Sequence, residues 1–351
     1  MSERRYDVMS FGEAMIRFTA LNHMRLYQTD DLKMAVSAAE LSVAANTSML
    51  GLKTAWISKL VDTWSGDYII AKGLSRGVDM SHIVKVPYDG VGWTRNGFAF
   101  IEVGIGPRAS KMVYDRGHSA ISKIKPGDFD WDELMKQTKW FHTTGITPAL
   151  SDGVAQETLS ALKAAKKNGV KTSIDLNYRS TLWSAEKAQS VIKELLKYVD
   201  VLIGNEEDFE TCVGIKAAGT TNNFSKINPE SYRSVAEKAM EMYPNIELVA
   251  TSLRDAKTGL LNDWQTAMLY KGGFYISRKY EDMEIMDRIG GGDSFASAMI
   301  YGLITEKEPQ DMIDFAAAYS ALCHGFLGDW NWATREEAEH VMKGGSARVK
   351  R

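Results

Sequence analysis

The 351-residue chain has only two cysteines, Cys212 and Cys323. Two thiols cannot build a disulfide framework or a structural zinc site by themselves. Both lie in apolar stretches, which reads as small core hydrophobes in a reducing compartment. Excess charge of one sign is scarce too: 42 basic and 45 acidic side chains leave a formal net charge of −3. No basic stripe points to a nucleic-acid or anionic-membrane partner. Lys163, Lys166 and Lys167 cluster on one expected helix and read as a solvated face. No run approaches the ~18 apolar residues of a spanning helix, and the opening stretch has no apolar run of signal-peptide length. A cytoplasmic protein is the expectation. Two phosphate motifs are missing as well. Gly51-Leu52-Lys53-Thr54 lacks the first glycine and the register of a P-loop, and Gly104-Ile105-Gly106 runs into Pro107 rather than into a dinucleotide-binding helix.

What is present is ordinary for a globular enzyme, with 44% hydrophobic and 25% charged residues. The length suits one large α/β domain with an appendage. Strand and helix patterns alternate. A strand at Tyr6–Phe11 is followed by a helix over Ala38–Leu50 that stops at Gly51. Thr54–Leu60 reads as a strand, and a helix from Gly66 to Arg76 stops at Gly77. From Trp140 the rhythm resumes, with strands at Trp140–Thr144, Val170–Leu176, Val199–Gly204 and Glu247–Leu253 separated by helical patterns. This argues a parallel sheet. Between residues 82 and 116 the rhythm breaks. His82–Val86, Trp93–Val103 and Lys111–Tyr114 are consecutive strand candidates and suggest a small antiparallel sheet. A hairpin pairs Thr266–Tyr270 with Phe274–Ser277 across Gly272-Gly273, and three helices end the chain.

The most informative stretch is Asp287-Arg288-Ile289-Gly290-Gly291-Gly292-Asp293-Ser294-Phe295. Three glycines ahead of a helix let backbone N–H groups converge on an anion, reinforced by the helix dipole. A carboxylate in the first turn is stabilised in its ionised form by that dipole, so Asp293 is expected to be deprotonated beside whatever anion the cradle holds. That arrangement fits phosphoryl transfer, with the carboxylate taking the proton of an attacking hydroxyl. A glycine-rich turn with a capping aspartate would carry the same residues.

This stretch resembles the carboxyl-terminal signature of the ribokinase-like (PfkB) carbohydrate kinases, in the variant seen in 2-keto-3-deoxygluconate kinases. Further segments fall in the order of that family: Phe11-Gly12-Glu13, Lys111–Arg116, Trp140–Pro148, Asp175–Arg179 with Leu182-Trp183, Asn205–Asp208, Arg278–Tyr280 and Gly328-Asp329. The resemblance implies a Rossmann-type, mostly parallel sheet flanked by helices, with a small β-sheet lid mainly within 82–116, often paired into a homodimer through the lid. It implies ATP with Mg²⁺ and a sugar or sugar-acid substrate. It makes Asp293 the base and Gly290, Gly291 and Gly292 the anion hole. Arg116 and Arg179, with Tyr114, would hold a sugar carboxylate, a task that suits the planar guanidinium. Asp329 would contact the sugar near its reacting end. Asn205 and Glu206 would help to hold Mg²⁺ and phosphates through water, and Ser252, Leu253 and Arg254 would line the ATP side.

Blander readings stand beside these: a surface ion pair for Arg179, lid packing for Tyr114, a helix cap for Asn205-Glu206, and a satisfied core histidine for His142. Three positions also depart from the family pattern. Ser37-Ala38 replaces a glycine pair, Ser42 an asparagine, and Ala99 a lid tyrosine. All three fall on the acceptor side, which predicts retained kinase chemistry with a reshaped acceptor pocket. A noncatalytic binding protein on a kinase scaffold, or a kinase for a neutral sugar or nucleoside, are the rival readings.

Overall fold

A computed structural model describes residues 4–216 and 228–345. The first part of the chain forms β1 (Tyr6–Phe11), β2 (Ala14–Ala20), β3 (Leu32–Ala38), α1 (Glu40–Met49), β4 (Thr54–Val61) and α2 (Trp64–Ser75). There follow β5 (Val78–Asp79), β6 (Ile83–Val86), β7 (Gly97–Glu102), β8 (Lys111–Asp115), α3 (Trp131–Lys136), β9 (Thr138–Thr144), α4 (Ile146–Ala149) and α5 (Asp152–Lys167). Next come β10 (Lys171–Asp175), α6 (Ala185–Leu196), β11 (Val201–Gly204), α7 (Glu206–Asp208), α8 (Arg233–Met242) and β12 (Leu248–Ala256). The last elements are β13 (Leu261–Tyr270), β14 (Gly273–Ile276), β15 (Tyr280–Glu284), α9 (Gly291–Ile304), α10 (Pro309–Cys323) and α11 (Arg335–Met342).

Among the described residues the larger sheet has 11 strands. Its parallel body runs β12-β11-β10-β9-β1-β4-β5, and β13 and β14 extend one edge antiparallel. Period-two alternation sends successive side chains to opposite faces. Val8, Val201, Ile203, Leu248 and Ala250 pack with residues of α9 and α10 such as Phe295 and Phe315. Met9, Leu202 and Val249 pack on the other face with Leu162 of α5, Ile192 of α6 and Val235 of α8. Each fully buried aromatic or aliphatic side chain contributes roughly 1.5–3 kcal/mol. Both cysteines are buried thiols within these layers. His142 is a core histidine, with Nδ1 2.8 Å from the Ser173 hydroxyl and burial pushing its pKa down to about 3.

The parallel body, the helices that alternate with it and the three closing helices lie where the patterns put them. The small sheet does not. Its order is β3-β2-β7-β8, so half of it comes from residues 14–38 rather than from 82–116. It is also mixed: β2 pairs with β7 in parallel. The expected strand at 82–86 belongs to the large sheet instead, as β6 beside β4. The hairpin turn sits one residue earlier than the glycine pair suggested, on Lys271 and Gly272, both with positive φ, and Gly273 already belongs to β14.

Candidate active site

Open α/β sheets bind ligands beyond the carboxyl ends of their parallel strands. Here those ends open onto a cavity of about 820 Å³. Glu13 follows β1, Arg179 lies beyond β10, Asn205 caps the end of β11, and Ser252 and Arg254 lie on β12; all of them line it. The inner face of the small sheet covers it with Met15, Ser37, Met112 and Tyr114. Between lid and strand ends run Gly290, Gly291, Gly292 and Asp293.

Gly290 heads α9 with φ +87, and no side chain among the described residues caps that helix. A Cβ at residue 290 would lie 2.2 Å from the Asp329 carbonyl oxygen, so only glycine fits both the conformation and the contact. Over Gly292 the space is open. The first-turn amides of a 14-residue helix thus face the cavity without a side-chain acceptor, which is the chemistry of an anion cradle.

The surroundings of Asp293 act against the helix dipole expected to favour its ionised form. Burial first, and then the carboxylates of Asp175, Asp329 and Glu40, raise its pKa well above the usual range, against the pull of Arg179. One helix dipole is worth at most about 2 kcal/mol and does not offset burial plus three like charges. Asp175 is pushed up to about 7 by burial and then by Asp208, and Asp208 up to about 6 chiefly by burial. Glu40 is buried at the head of α1, where its Oε1 accepts from the Thr144 amide and from the hydroxyls of Thr144 and Thr147 at 3.1, 2.7 and 2.6 Å. Sequence reasoning missed Glu40, Asp175, Asp208, Arg288 and Glu13 as members of the wall.

On the lid side, Arg116 lies 4.7 Å above the Tyr114 ring and 3.5 Å from Glu13 Oε2. Neither Glu13 oxygen, nor Arg116 Nε and Nη1, nor the Ser119 hydroxyl completes a hydrogen bond, although all are buried. Buried polar atoms are rarely left this way, so this corner is preorganised for a polar group. Asp329 lines the cavity, but each of its oxygens already accepts one bond, from Arg17 Nη1 at 2.8 Å and from the Ser37 hydroxyl at 2.7 Å. Ala38 also lines the wall.

Three expected positions do not reach the cavity. Ala99 is on the inner face of the lid, opposite Arg17 and Tyr114, and these longer neighbours cover it completely. Ser42 is buried in α1 and its hydroxyl donates to the Ala38 carbonyl. Strand alternation turns Leu253 into the interior, while Ser252 and Arg254 face outward to the cavity. At the β11 end, Asn205 Oδ1 accepts from the Asp208 amide at 3.0 Å and Asp208 Oδ2 accepts from the Asn205 amide at 3.2 Å, a reciprocal helix cap. The Glu206 side chain lies outside the described residues. Among the described residues no three Asp, Glu, His or Cys side chains come together as a metal cage.

Known proteins share this architecture. The crystal structure of 2-dehydro-3-deoxygluconokinase from Thermotoga maritima superposes with a TM-score of 0.90 at 38% identity, covering 97% of this chain and 100% of that one. The 2-dehydro-3-deoxygalactonokinase of Haloferax volcanii is 29% identical over 348 residues, 98% of this chain and 99% of its own. A putative ribokinase II from E. coli, solved in complex with ATP and Mg²⁺, shares the fold with a TM-score of 0.78 at 18% identity, covering 97% of this chain and 99% of its own. Residues 5–328 match the model of the pfkB family carbohydrate kinases. With a glycine cradle, a crowded carboxylate and a lidded cavity within that span, the chain belongs to the pfkB family of carbohydrate kinases.

Proposed function

We propose that this sugar kinase transfers the γ-phosphoryl group of ATP to a hydroxyl of a keto-sugar acid, with 2-keto-3-deoxygluconate (2-dehydro-3-deoxygluconate) as the leading acceptor and the 6-phosphate as product. The observation that carries the acid is Arg116, whose buried Nη1 has no hydrogen-bond partner among the described residues and whose Nε meets only Glu13 Oε2 at 3.5 Å, on the lid side of the cavity that Arg179 also lines. A carboxylate would meet the guanidinium with a charged, two-oxygen acceptor that matches its planar fork, whereas a neutral sugar would offer only uncharged oxygens, which make weaker bonds. The similarity to a 2-dehydro-3-deoxygluconokinase and a 2-dehydro-3-deoxygalactonokinase supports the same class.

In the reaction the acceptor oxygen forms a bond to the γ-phosphorus as the bond to ADP breaks. Asp293 takes the hydroxyl proton, and the Gly290–Gly292 amides stabilise charge on the phosphoryl oxygens. Its raised pKa makes Asp293 a stronger base once ionised. Ser252 and Arg254 lie on the side where the nucleotide would sit. Mg²⁺ would neutralise phosphate charge; with no acidic cage among the described residues, it would arrive with the nucleotide, near Asn205. ADP release should be fast with 2-keto-3-deoxygluconate or its galacto epimer and ATP, slow with neutral sugars and nucleosides, and abolished by excess chelator. Equal turnover of a neutral sugar, or full activity in chelator, would remove this reading.

Pairing through the lid is part of the same proposal. The outer face of the small sheet groups Phe18, Phe98 and Phe100, with the Phe18 and Phe100 ring centroids 5.6 Å apart, beside exposed Met34 and Val113. Such a patch favours burial against a second copy. Light scattering should give twice the chain mass, and a monomer at micromolar concentration would count against it.

A further inference from the structure

Between the lid and the anion cradle lies a charge cluster with no part in the transfer described above. Arg17 of β2 is completely buried. Its Nη1 donates to Asp329 Oδ1 at 2.8 Å, its Nη2 to Asp287 Oδ2, and its Nε to the Thr19 hydroxyl at 2.8 Å. Asp287 opens the glycine signature, and its carboxylate also accepts from the amides of Ile289 and Gly328 at 3.1 and 3.2 Å. Asp329 seats its backbone carbonyl against Gly290. One guanidinium therefore fastens a lid strand to both segments that frame the cradle.

Stability alone does not explain such a cluster, because burying one cation with two anions is often no better than an apolar packing of the same volume. Its geometry is specific instead. Ala99 is the cross-strand neighbour of Arg17, and this small side chain is fully buried beside it. Ser37 supplies the hydroxyl that holds the second Asp329 oxygen, which glycine could not do. Two departures from the family pattern thus become parts of one network.

We infer that Arg17 is a positioning residue for phosphoryl transfer: it holds Asp329, and through it Gly290, in the register that aligns the anion cradle with the Asp293 carboxylate. The inference rests on Asp293 serving as the base. Asp175 from the end of β10, Asp329 from the carboxyl-terminal loop and Glu40 from the head of α1 add negative charge around Asp293, and Arg179 opposes them. Arg254, Arg288 and the neutral His324 share the cavity wall. Arg17 offsets the charge of Asp329 in this group. Without it the negative field at Asp293 grows, and ionisation of the base requires a higher pH.

The test compares Arg17→Gln, Arg17→Lys and Ser37→Ala with the unaltered enzyme, using ATP, Mg²⁺ and the best acceptor, with rates expressed per folded protein. Arg17→Gln should lower kcat by about tenfold or more, leave KM for ATP within about twofold, and move the acid limb of kcat/KM to higher pH. Arg17→Lys should recover part of both losses, because one ammonium can serve only one carboxylate well. Ser37→Ala, which removes one hydrogen bond from the same carboxylate and leaves all charges in place, should lower kcat by less than Arg17→Gln and leave the limb where it is. A folded Arg17 variant with unchanged kcat and an unmoved limb overturns the inference. If neither Arg17 variant folds, an unchanged kcat in Ser37→Ala overturns it. Failure of the underlying reading looks different: Asp293→Asn would stay active and the unaltered enzyme would show no acid limb, and then both ideas fall.

Discussion

Replacing Asp293 by asparagine should lower kcat by about 10²–10⁴-fold and at the same time stabilise the fold. The loss follows from the proton. Asparagine keeps the size and polarity of the side chain but cannot accept the hydroxyl proton as the acceptor oxygen attacks phosphorus. The gain follows from the crowding that raises the Asp293 pKa, with burial first and Asp175, Asp329 and Glu40 behind it. For a carboxyl whose folded-state pKa lies above its unfolded value, the folded protein holds the proton more tightly. Ionisation then costs stability as the pH rises through the unfolded value, and the full cost is present above the folded one. Asparagine carries no such cost, so Asp293→Asn should melt higher at pH 8 and lose that advantage as the pH falls toward ~4. The same elevation predicts that kcat/KM of the unaltered enzyme falls on an acid limb centred above ~4, the usual range of an aspartate. Melts and pH–rate profiles of both proteins check all of this. Normal turnover in the variant would exclude Asp293 as the base, and a variant that melts lower at pH 8 would refute the crowding.

Much of this was legible in the sequence, and what was not has identifiable causes. The parallel body is legible because strands such as Val201–Gly204 are short apolar runs between helices with clear stops, and both Gly51 and Gly77 close their helices with positive φ. The first two lid strands are not. Ala14–Ala20 is buried almost throughout, so it shows no alternation, and it carries the charge of Arg17 in the middle. Leu32–Ala38 is exposed over its first half and buried over its second. The edge strand Tyr280–Glu284 is short and acidic. In the site, the glycines and Asp293 are adjacent in sequence and announce themselves. Arg17 acts through residues 270 and 312 positions away, a relation that no local pattern contains. The crowding that opposes ionisation of Asp293 is hidden for the same reason. Its helix terminus is a local feature, whereas the carboxylates around it come from α1, β10 and the carboxyl-terminal loop.

The two arginines expected to grip the substrate should separate on replacement. Arg116 lies on the lid side, over Tyr114 and beside Glu13, whose carboxylate its charge offsets. Arg179 lies beyond β10, with Nη1 donating to the Tyr178 carbonyl at 2.8 Å, and its charge lowers the pKa of Asp293, Asp175 and Asp208 alike. Hydrogen bonds to a charged group contribute about 1.5–3 kcal/mol each, so losing either arginine should cost about 10–100-fold in kcat/KM for 2-keto-3-deoxygluconate. For Arg116→Gln the loss should sit in KM, because the contact is made equally in the bound acceptor and in the transition state. The acid limb should stay where it is. For Arg179→Gln, kcat should fall as well, and the limb should move to higher pH, because the main cation offsetting the carboxylate cluster is gone. A matching acceptor without its carboxylate provides the control. If the acid group is what the arginines bind, the unaltered enzyme should prefer the acid by a similar factor, and Arg116→Gln should erase most of that preference. A variant that loses equally on both acceptors would place Arg116 in lid packing instead. An unmoved limb in Arg179→Gln would mean that Asp293 does not sense the Arg179 charge during turnover.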